Sequence, residues 1–512
     1  MIVQQGSINT TALVTPDLYV QIVPPSVYLL NGVPTNIAGL VGTAQWGPVN
    51  SPTIVGNLAD FTRQFGNIQN RKYDVGTALA AAVLQGGSGA YYVVRVTDGT
   101  DVAATIAVLT NCITFTSKWT GTLGNSCQVT IATGSAANSY KVMVAQPGQQ
   151  PEVFDNITGT GNALWVNMAA AITNGQNALR GPSQIIKATA GAGATAASLA
   201  TYSLAGGTDG IATITSAVLI GQDTVPRKGM YALRNLAVSV AALVDCDDTT
   251  VYTTQVSFGL SEGVYMIATG PAGDTISNAV SAKNTAGIDS YAIKILFGDW
   301  CLFNDTVNGV QRLISPQGFV VGLLSNLAPN QSTLNKPMQG IIGTQKTIAN
   351  QVYSGAELQT LAAAGFDLIT NPLPRGPAYG CRFGRNTSSN AVIHGDNYTR
   401  MTNYIAATLN AGMGIYVGQL QSADVRRNAK VTLDSFLQGL ADQDLIGNAD
   451  GTTPFQTVLD STNNLPSRVA LGYMQADVKV QYLSVIEYFL VNLEGGQSVS
   501  ISRTSTTLNN NY

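Results

Sequence analysis

The fold is decided by the stretch GVPTNIAGLVGTAQWGPVNSP, residues 32–52. Its apolar part, IAGLVGTA, predicts a short buried strand, and the later glycines predict a turn in which glycine supplies a positive φ. A helical pattern, NLADFTRQFG, follows within a few residues. Nucleotide-binding proteins hold phosphate at the same order of strand, glycine-rich turn and helix, so the stretch is either a phosphate loop or a structural turn.

The residues around these glycines argue against a phosphate loop. Gly42 and Gly47 have the spacing of G-x-x-x-x-G, but Pro48 and Val49 stand where a P-loop needs a lysine and a hydroxyl residue. The dinucleotide pattern G-x-G-x-x-G does not occur in the sequence either. We therefore expect a structural turn within the core, with no nucleotide and no other cofactor.

The charge content of the 512-residue chain is low. Charged residues make up 11% of it, against roughly 25% in average soluble domains, while the hydrophobic fraction of 45% is ordinary. A surface this poor in charge suits a protein covered by copies of itself, because the cores of interfaces are depleted of charged residues. The net charge is −3 and no basic stripe occurs, so we expect no direct contact with nucleic acid.

Neither secretion nor membrane insertion is expected. The N-terminus MIVQQGSINTTALVTPDLYV lacks a positive segment followed by an apolar one, and no window approaches ~18 uninterrupted apolar residues. The cysteines are spaced too widely for a zinc site or a disulfide framework, which predicts unpaired, buried thiols in a reducing cytoplasm. They are Cys112, Cys127, Cys246, Cys301 and Cys381.

Pattern and composition predict an α/β protein of the α+β multidomain kind. The strand candidates VSVAALVD, VYMIATG and YAIKILFGDW alternate with helical stretches, which predicts a parallel sheet. Prolines exclude a helix near the N-terminus, where LYVQIV alternates with strand period. The expected parts are an extended N-terminal arm (1–30), an α/β middle domain (31–100 and 206–375), an inserted β-rich domain (101–205), a C-terminal α/β domain (376–485), and a terminal strand with a polar tail (486–512).

In the predicted C-terminal domain, NYTRMTNYIAATLNAG indicates an amphipathic helix. Met401, Tyr404, Ile405 and Leu409 recur at helical spacing and share one face. We expect this face to form the core of the domain by packing on its sheet.

Candidates for catalysis are few. His394 is the single histidine, so any Ser-His-Asp or Cys-His arrangement would depend on it, and a structural loop histidine is the favoured interpretation. Asp245, Asp247 and Asp248 follow a predicted strand, where an α/β enzyme could hold a hard cation such as Mg²⁺. Aspartate is also a frequent helix cap, which is the favoured alternative here. We therefore assign no catalytic, cofactor-binding or metal-binding residue.

An ordered set of motifs resembles the contractile-tail sheath family of myovirus-type bacteriophages. TPDLYVQIVP and the following residues 31–66 resemble the family's PGVYV-E arm and its GV-T-IA-FVG-A--GP-N-P opening. TSKWTGTLGNSCQVTI resembles the entry into an inserted domain, and LAGGTDG with KGMYAL resembles the return. RLISPQGFVVGLLSNLAPNQSTLNKPMQGI and YTRMTNYIAATL follow in the family's order. The resemblance runs from residue 16 to about residue 447 and lies in the order of the motifs rather than in any single one.

The sequence departs from the family pattern at two places. The family's tryptophan and APAN become LNKPMQG, and its paired arginines are reduced to Arg400 alone. These departures affect the local contacts of those residues and leave the implied architecture unchanged.

The resemblance implies a structural, self-assembling protein and not an enzyme. Such a subunit forms a helical or stacked-ring homo-oligomer, with hexameric rings, around a tail tube protein, and contracts to drive the tube through the host cell envelope for genome ejection. Baseplate and tail terminator proteins are the other implied partners, and the implied location is the virion tail after assembly in the host bacterial cytoplasm. A sheath subunit of a phage-derived cellular contractile injection particle is the alternative; a metal-dependent α/β enzyme using the aspartate cluster is a remote one.

The resemblance also implies that the inserted domain (101–205) faces outward and that sheath subunits exchange terminal strands, so that the N-terminal arm (1–30) and the strand in 486–512 link neighbouring subunits. The sequence pattern agrees, because LYVQIV lies between prolines and SVSIS alternates with period two in a polar tail. An exposed strand finds its hydrogen-bond partners at the sheet edge of another chain. The residues expected to take part are Leu18, Tyr19, Val20, Gln21, Ile22, Val23, Tyr488, Leu490, Val491, Val499 and Ile501.

Overall fold

The computed structural model describes residues 2–5, 19–22, 30–86, 89–178, 180–491 and 493. Strands β1 (Ile2–Gln5) and β2 (Tyr19–Ile22) pair with each other as a parallel two-stranded sheet. The middle domain then begins with β3 (Ala38–Gly42), β4 (Thr53–Val55), α1 (Leu58–Phe65), α2 (Val75–Val83) and β5 (Tyr91–Arg95).

Helices α1 and α2 both begin at a capping side chain. Asn57 accepts a hydrogen bond from the backbone N–H three residues later at 2.9 Å, and Asp74 accepts one from the N–H of Thr77 at 2.9 Å. Gly66 ends α1 at a φ of 87°, a conformation that glycine adopts without a steric penalty. These caps place α1 and α2 as the stretch NLADFTRQFG and the alanine-rich run after it predict.

The inserted domain contains two antiparallel sheets and one helix. Its elements are β6 (Thr105–Val108), β7 (Ile113–Ser117), β8 (Gln128–Thr133), β9 (Tyr140–Ala145), β10 (Glu152–Ile157), α3 (Asn162–Asn174), β11 (Ile186–Ala190) and β12 (Thr201–Ser203). One sheet has the order β10-β9-β8-β12 and the other β11-β7-β6. Phe115, Phe154 and Trp165 are fully buried in their common core, with Trp165 supplied by α3.

The chain then returns to the middle domain. The elements after the insertion are α4 (Ser216–Ile220), β13 (Val240–Leu243), α5 (Tyr252–Glu262), β14 (Tyr265–Thr269), α6 (Ile276–Thr285), β15 (Ile293–Leu296), β16 (Cys301–Asp305), β17 (Val310–Ile314), α7 (Gln317–Asn326), β18 (Ile341–Thr344), α8 (Gln345–Ile348), α9 (Gly355–Ala363), β19 (Ile369–Thr370) and β20 (Gly380–Cys381). Strands β16, β17 and β18 form a separate antiparallel sheet.

The central sheet of the middle domain has the order β15-β14-β13-β3-β5-β4. Its first five strands are parallel, and β4 runs antiparallel to β5 at the edge. Leu40 of β3 faces a core shared with α2 and α7, while the adjacent Val41 faces a second core shared with α5, α6 and α9. The predicted α/β fold class is confirmed, with helices on both faces of a mainly parallel sheet.

The C-terminal part is mostly helical. It contains α10 (Asp396–Gly412), α11 (Ala423–Asp442), β21 (Phe455–Val458), α12 (Pro466–Val469) and β22 (Asp477–Val480). Residues 376–395, which the prediction assigns to this domain, contact the middle domain; the N–H of Thr387, for example, donates to the carbonyl of Ile293 at 3.1 Å. Among the described residues, no helix combines the length and apolar character that a membrane span needs.

Candidate assembly interface

The glycine-rich loop after β3 is filled by the protein's own side chains. Arg95 is fully buried, and its guanidinium donates to the carbonyl of Gly47 at 2.7 Å. Gly47 has a φ of 100°, and a Cβ added to it would lie 2.7 Å from a ring carbon of Phe65. Both contacts make the loop a structural turn in the core.

The same arginine joins the middle domain to the inserted domain. Arg95 also donates to the carbonyl of Thr120 at 2.8 Å, in the loop between β7 and β8 of the insertion, and to that of Asp209 at 3.2 Å, on the connection that leaves it. The Asp209 carboxylate accepts from the N–H of Thr122 at 2.6 Å and pairs with Arg71 at 2.5 Å. Burial lowers the pKa of Arg95 to about 10, so its guanidinium stays charged at neutral pH. This joint fixes a loop of the insertion and the connection that leaves it to one side chain of the central sheet.

A buried ionic cluster joins the middle domain to the C-terminal part. Lys294 of β15 is fully buried, with its Nζ 2.6 Å from Asp367 Oδ2 and 3.0 Å from Asp396 Oδ2. Asp396 is the first residue of α10. The Tyr265 hydroxyl donates to Asp396 at 2.7 Å, and the Thr333 hydroxyl donates to it at 2.6 Å. Two strands, a loop and the start of α10 therefore converge on one lysine.

The charges of this cluster stabilise one another. Burial alone would lower the pKa of Lys294, but the Asp367 and Asp396 carboxylates more than offset it and raise that pKa above its ordinary value. Burial likewise opposes ionisation of Asp396, yet Lys294 and the hydroxyl donors bring the pKa of Asp396 below its ordinary value. Removing any one of these groups would leave the others buried without a partner, so the cluster fixes the start of α10 against the middle domain.

The sequence analysis predicted neither the contacts of Arg95 with the insertion nor the ionic cluster around Lys294. A usable indication was present for Lys294, since a lone charge inside YAIKILF, a strand buried on both faces, requires a buried partner. The partners themselves, Asp367 and Asp396, are distant in sequence and carry no pattern that links them to Lys294.

The four residues predicted to share a face of α10 lie on the same core. Met401 and Ile405 are buried, and Tyr404 and Leu409 are partly buried. The face packs mainly on α11, with the sheet β21–β22 as the second surface, rather than on a sheet alone. The other members of this core include Phe436, Leu437, Leu440, Ile446, Phe455, Val478 and Val480.

The sheet next to this core has open edges. In the described part of the chain β21 and β22 pair only with each other, in an antiparallel register that places Phe455 opposite Val480. Each strand thus keeps one edge on which backbone N–H and C=O groups can pair with a further strand. Unpaired strand edges of this kind are the groups that β-strand addition uses.

The C-terminal segment carries exposed apolar side chains. The closing segment KVQYLSVIEYFLVNLEG reads as strand in sequence, but β22 ends at Val480 and residues 481–491 have no regular structure. Tyr488 is 80% exposed, Leu490 88% and Val491 70%. A free chain leaves these apolar groups in water, a situation that association with a second chain would relieve.

The other residues expected to exchange strands are described in part. Tyr19, Val20, Gln21 and Ile22 form β2, which pairs in register with β1, so the arm has an internal partner that the sequence analysis did not predict. Leu18, Val23, Val499 and Ile501 lie outside the described residues.

The aspartates considered as cation ligands have separate protein partners. Asp248 accepts from the N–H of Thr250 at 2.9 Å and caps a short 3-10 turn. Asp247 pairs with Lys72 at 2.8 Å, and Asp245 is buried, which raises the pKa of its carboxyl group. The described residues contain no group of three or more His, Cys, Asp or Glu placed to hold a metal ion.

His394 and the cysteines have structural surroundings. His394 Nε2 lies 2.9 Å from the Glu487 carboxylate of the C-terminal segment. All five cysteines are buried and unpaired, and burial raises the pKa of Cys127 and Cys246 to about 12. Such thiols are unreactive, because the thiolate is the nucleophilic form.

Comparison with known proteins gives matches in structure but not in sequence. No family model matches the chain, and no curated protein matches it by sequence. The sheath tail protein of Desulfitobacterium hafniense matches with a TM-score of 0.58 at 17% identity, over 86% of this chain and 93% of that one. The sheath tail protein of Listeria innocua matches with a TM-score of 0.60 at 14% identity, over 85% and 90%.

A third match comes from a contractile injection system. The sheath of the extracellular contractile injection system PVC, in its contracted state, matches with a TM-score of 0.55 at 10% identity, over 95% of this chain and 99% of that one. The chain therefore has the fold of these sheath proteins over most of its length.

Proposed function

We propose that the chain is a self-assembling structural subunit of a contractile tail sheath. The observation that carries this proposal is the shared fold, which extends over 85–95% of the chain in comparison with three sheath proteins. Its low charge content and the open edges of the sheet β21–β22 support the same conclusion. The chain acts through its packing with other copies and not as an enzyme.

Assembly proceeds by strand addition between copies. The exposed segment around Tyr488, Leu490 and Val491 of one copy adds to an open edge of β21–β22 on another, which pairs its backbone and covers its apolar side chains. A head-to-tail contact of this kind generates an open helix when its rotation does not close. Terminal strands keep copies linked while the bodies change their mutual packing.

The free energy of contraction is the difference in free energy between two packings of the same subunits. The ionic cluster around Lys294 and the joint around Arg95 hold each subunit rigid, so movement is confined to the contacts between subunits. The proposed surroundings are those of a phage tail: hexameric rings around a tail tube protein, with baseplate and terminator proteins at the ends, assembled in the bacterial cytoplasm and present in the virion.

A charge placed on the exposed C-terminal segment tests the proposal. Leu490→Asp changes a side chain that is 88% exposed, so the isolated subunit should melt at the same temperature as the wild type. The added charge would have to be buried on strand addition, which prevents large particles from forming in sedimentation velocity.

Leu199→Asp is the matched control, because Leu199 is a leucine of the inserted domain that is 59% exposed. It should assemble as the wild type does. Normal assembly of Leu490→Asp, or a wild type that stays monomeric at all concentrations, would contradict the proposal.

A further inference from the structure

The C-terminal segment is held to the body up to a definite residue. Just after β22, the ring of Tyr482 packs edge-on against Tyr398 with centroids 5.8 Å apart, and the carbonyl of Leu483 accepts from Asn397 at 3.3 Å. Both partners belong to the first turns of α10. The segment therefore runs along α10 before it reaches the exposed apolar residues.

Glu487 makes the last of these contacts before the exposed apolar run. Its Oε2 lies 3.0 Å from an Nη of Arg385, and its Oε1 lies 2.9 Å from Nε2 of His394. The three side chains are largely buried, with exposures of 22%, 11% and 17%. The described side chains beyond it, from Tyr488 to Leu493, are 70–90% exposed, and Ile486 directly before it is 76% exposed.

The two partners of Glu487 belong to a segment fixed on the middle domain. Arg385 pairs in a β-bridge with Gly395, and the carbonyl of His394 accepts from the N–H of Asn386 at 2.7 Å. The same segment is bound to β15 through Thr387. Glu487 thus ties the C-terminal segment to the middle domain, although the preceding strand β22 belongs to the C-terminal core.

We propose that Glu487, held by Arg385 and His394, is a latch that fixes where and in which direction the C-terminal linking strand leaves the subunit. This inference rests on the proposed function. A strand whose exit is fixed loses less conformational freedom when it joins a neighbouring copy, so the latch lowers the concentration needed for assembly. Glu487 is a positioning residue that acts on the strand beyond it.

Glu487→Gln tests the latch, because it removes the charge and keeps the side-chain size. The threshold concentration for assembly, measured by light scattering, should rise about fivefold, as expected for loss of one ion pair of moderate strength. Cleavage of the isolated subunit by chymotrypsin at Tyr488 and Phe489 should accelerate, while the melting temperature stays that of the wild type.

Two further variants make the result specific. Arg385→Gln should raise the threshold by a similar factor, and the double variant should add little, because both changes break the same pair. Asp424→Asn removes an equal charge from an exposed pair with Arg427 and should leave the threshold unchanged.

The outcomes separate the latch from the function on which it rests. An unchanged threshold in Glu487→Gln would overturn the latch alone, and so would a lowered one, since it would mean that Glu487 restrains the strand. A wild-type protein that never assembles would overturn the proposed function and the latch together.

Discussion

Lys294 shows at the residue scale how the subunit holds its shape. A lone ammonium inside a strand would be strongly disfavoured, but here two carboxylates and a hydroxyl surround it. Arg400 is buried nearby and donates to the carbonyls of Leu327 and Ala328, both at 2.9 Å. These polar side chains specify how α10 sits on the middle domain.

Replacing Lys294 with methionine should be strongly destabilising. The change leaves Asp367 and Asp396 buried without their cation, and breaking a buried pair in this way costs about 3–5 kcal/mol. Differential scanning calorimetry should show a lowered melting temperature. Lys187→Met is the control, because Lys187 is exposed on β11 and its loss should have little effect. Equal melting temperatures for the two variants would contradict the role given to Lys294.

The buried carboxyl group of Asp74 should make the stability of the protein depend on pH. Burial raises its pKa to about 6, although hydrogen bonds from Thr77 act in the opposite direction. Because this pKa is higher in the folded than in the unfolded chain, protonation of Asp74 contributes to the free energy of unfolding at low pH. The contribution is complete below the pKa of the unfolded chain and is lost as the pH rises through 6.

Asp74→Asn removes this titration and keeps an oxygen for the cap of α2. Between pH 4 and pH 7 the variant should therefore gain roughly 2–3 kcal/mol relative to the wild type in urea unfolding, from a shift of about two pKa units. A parallel curve for Asp74→Asn would show that its carboxyl group is not perturbed.

At the scale of elements, the periodicity of apolar residues predicted those helices and strands whose positions depend on local sequence. The strands β3, β13 and β14 are short, mainly apolar runs, and β5 and β15 are apolar apart from Arg95 and Lys294. The helices α1, α5, α6 and α10 have helical spacing with a cap or a glycine stop, so the positions of these elements could be read directly. The C-terminal segment could not, because residues 481–491 have a strand-like composition but no strand partner among the described residues. The joints at Asp209 and Asp396 depend on contacts between distant residues, for which one sequence contains no pattern.

The face of α10 gives a prediction at this scale. Ile405 is buried against α11, whereas Leu409 on the same face is only partly buried. Ile405→Ala should therefore lower stability by about 2–5 kcal/mol, and Leu409→Ala by clearly less. Thermal unfolding followed by circular dichroism would measure both. The reverse order would mean that the helix is rotated about its axis relative to the structure.

At the scale of the whole molecule, the folded body of the subunit carries two terminal segments that differ in their contacts. The middle domain, the insertion and the C-terminal core are connected by buried polar joints. The N-terminal arm contains β1 and β2, which pair with each other, and the C-terminal segment is exposed beyond Glu487. This division is what a subunit needs if it is to rotate against its neighbours without separating from them.

Deletion of residues 1–25 should leave a folded body that no longer polymerises. The deletion removes β1 and β2 together and keeps Leu30, which packs on the C-terminal core. Sedimentation velocity and the melting temperature would report the two properties separately. Full-length assemblies from the truncated protein would show that the arm is dispensable, and an insoluble product would show that it belongs to the core.

Electron microscopy of the purified full-length protein tests the central claim most directly. A contractile sheath subunit should form hollow cylinders of uniform diameter, with a lumen wide enough for a tube and a helical or stacked-ring repeat in their averaged images. Images that contain only small globular particles, at every concentration tested, would contradict the claim that this chain builds a sheath.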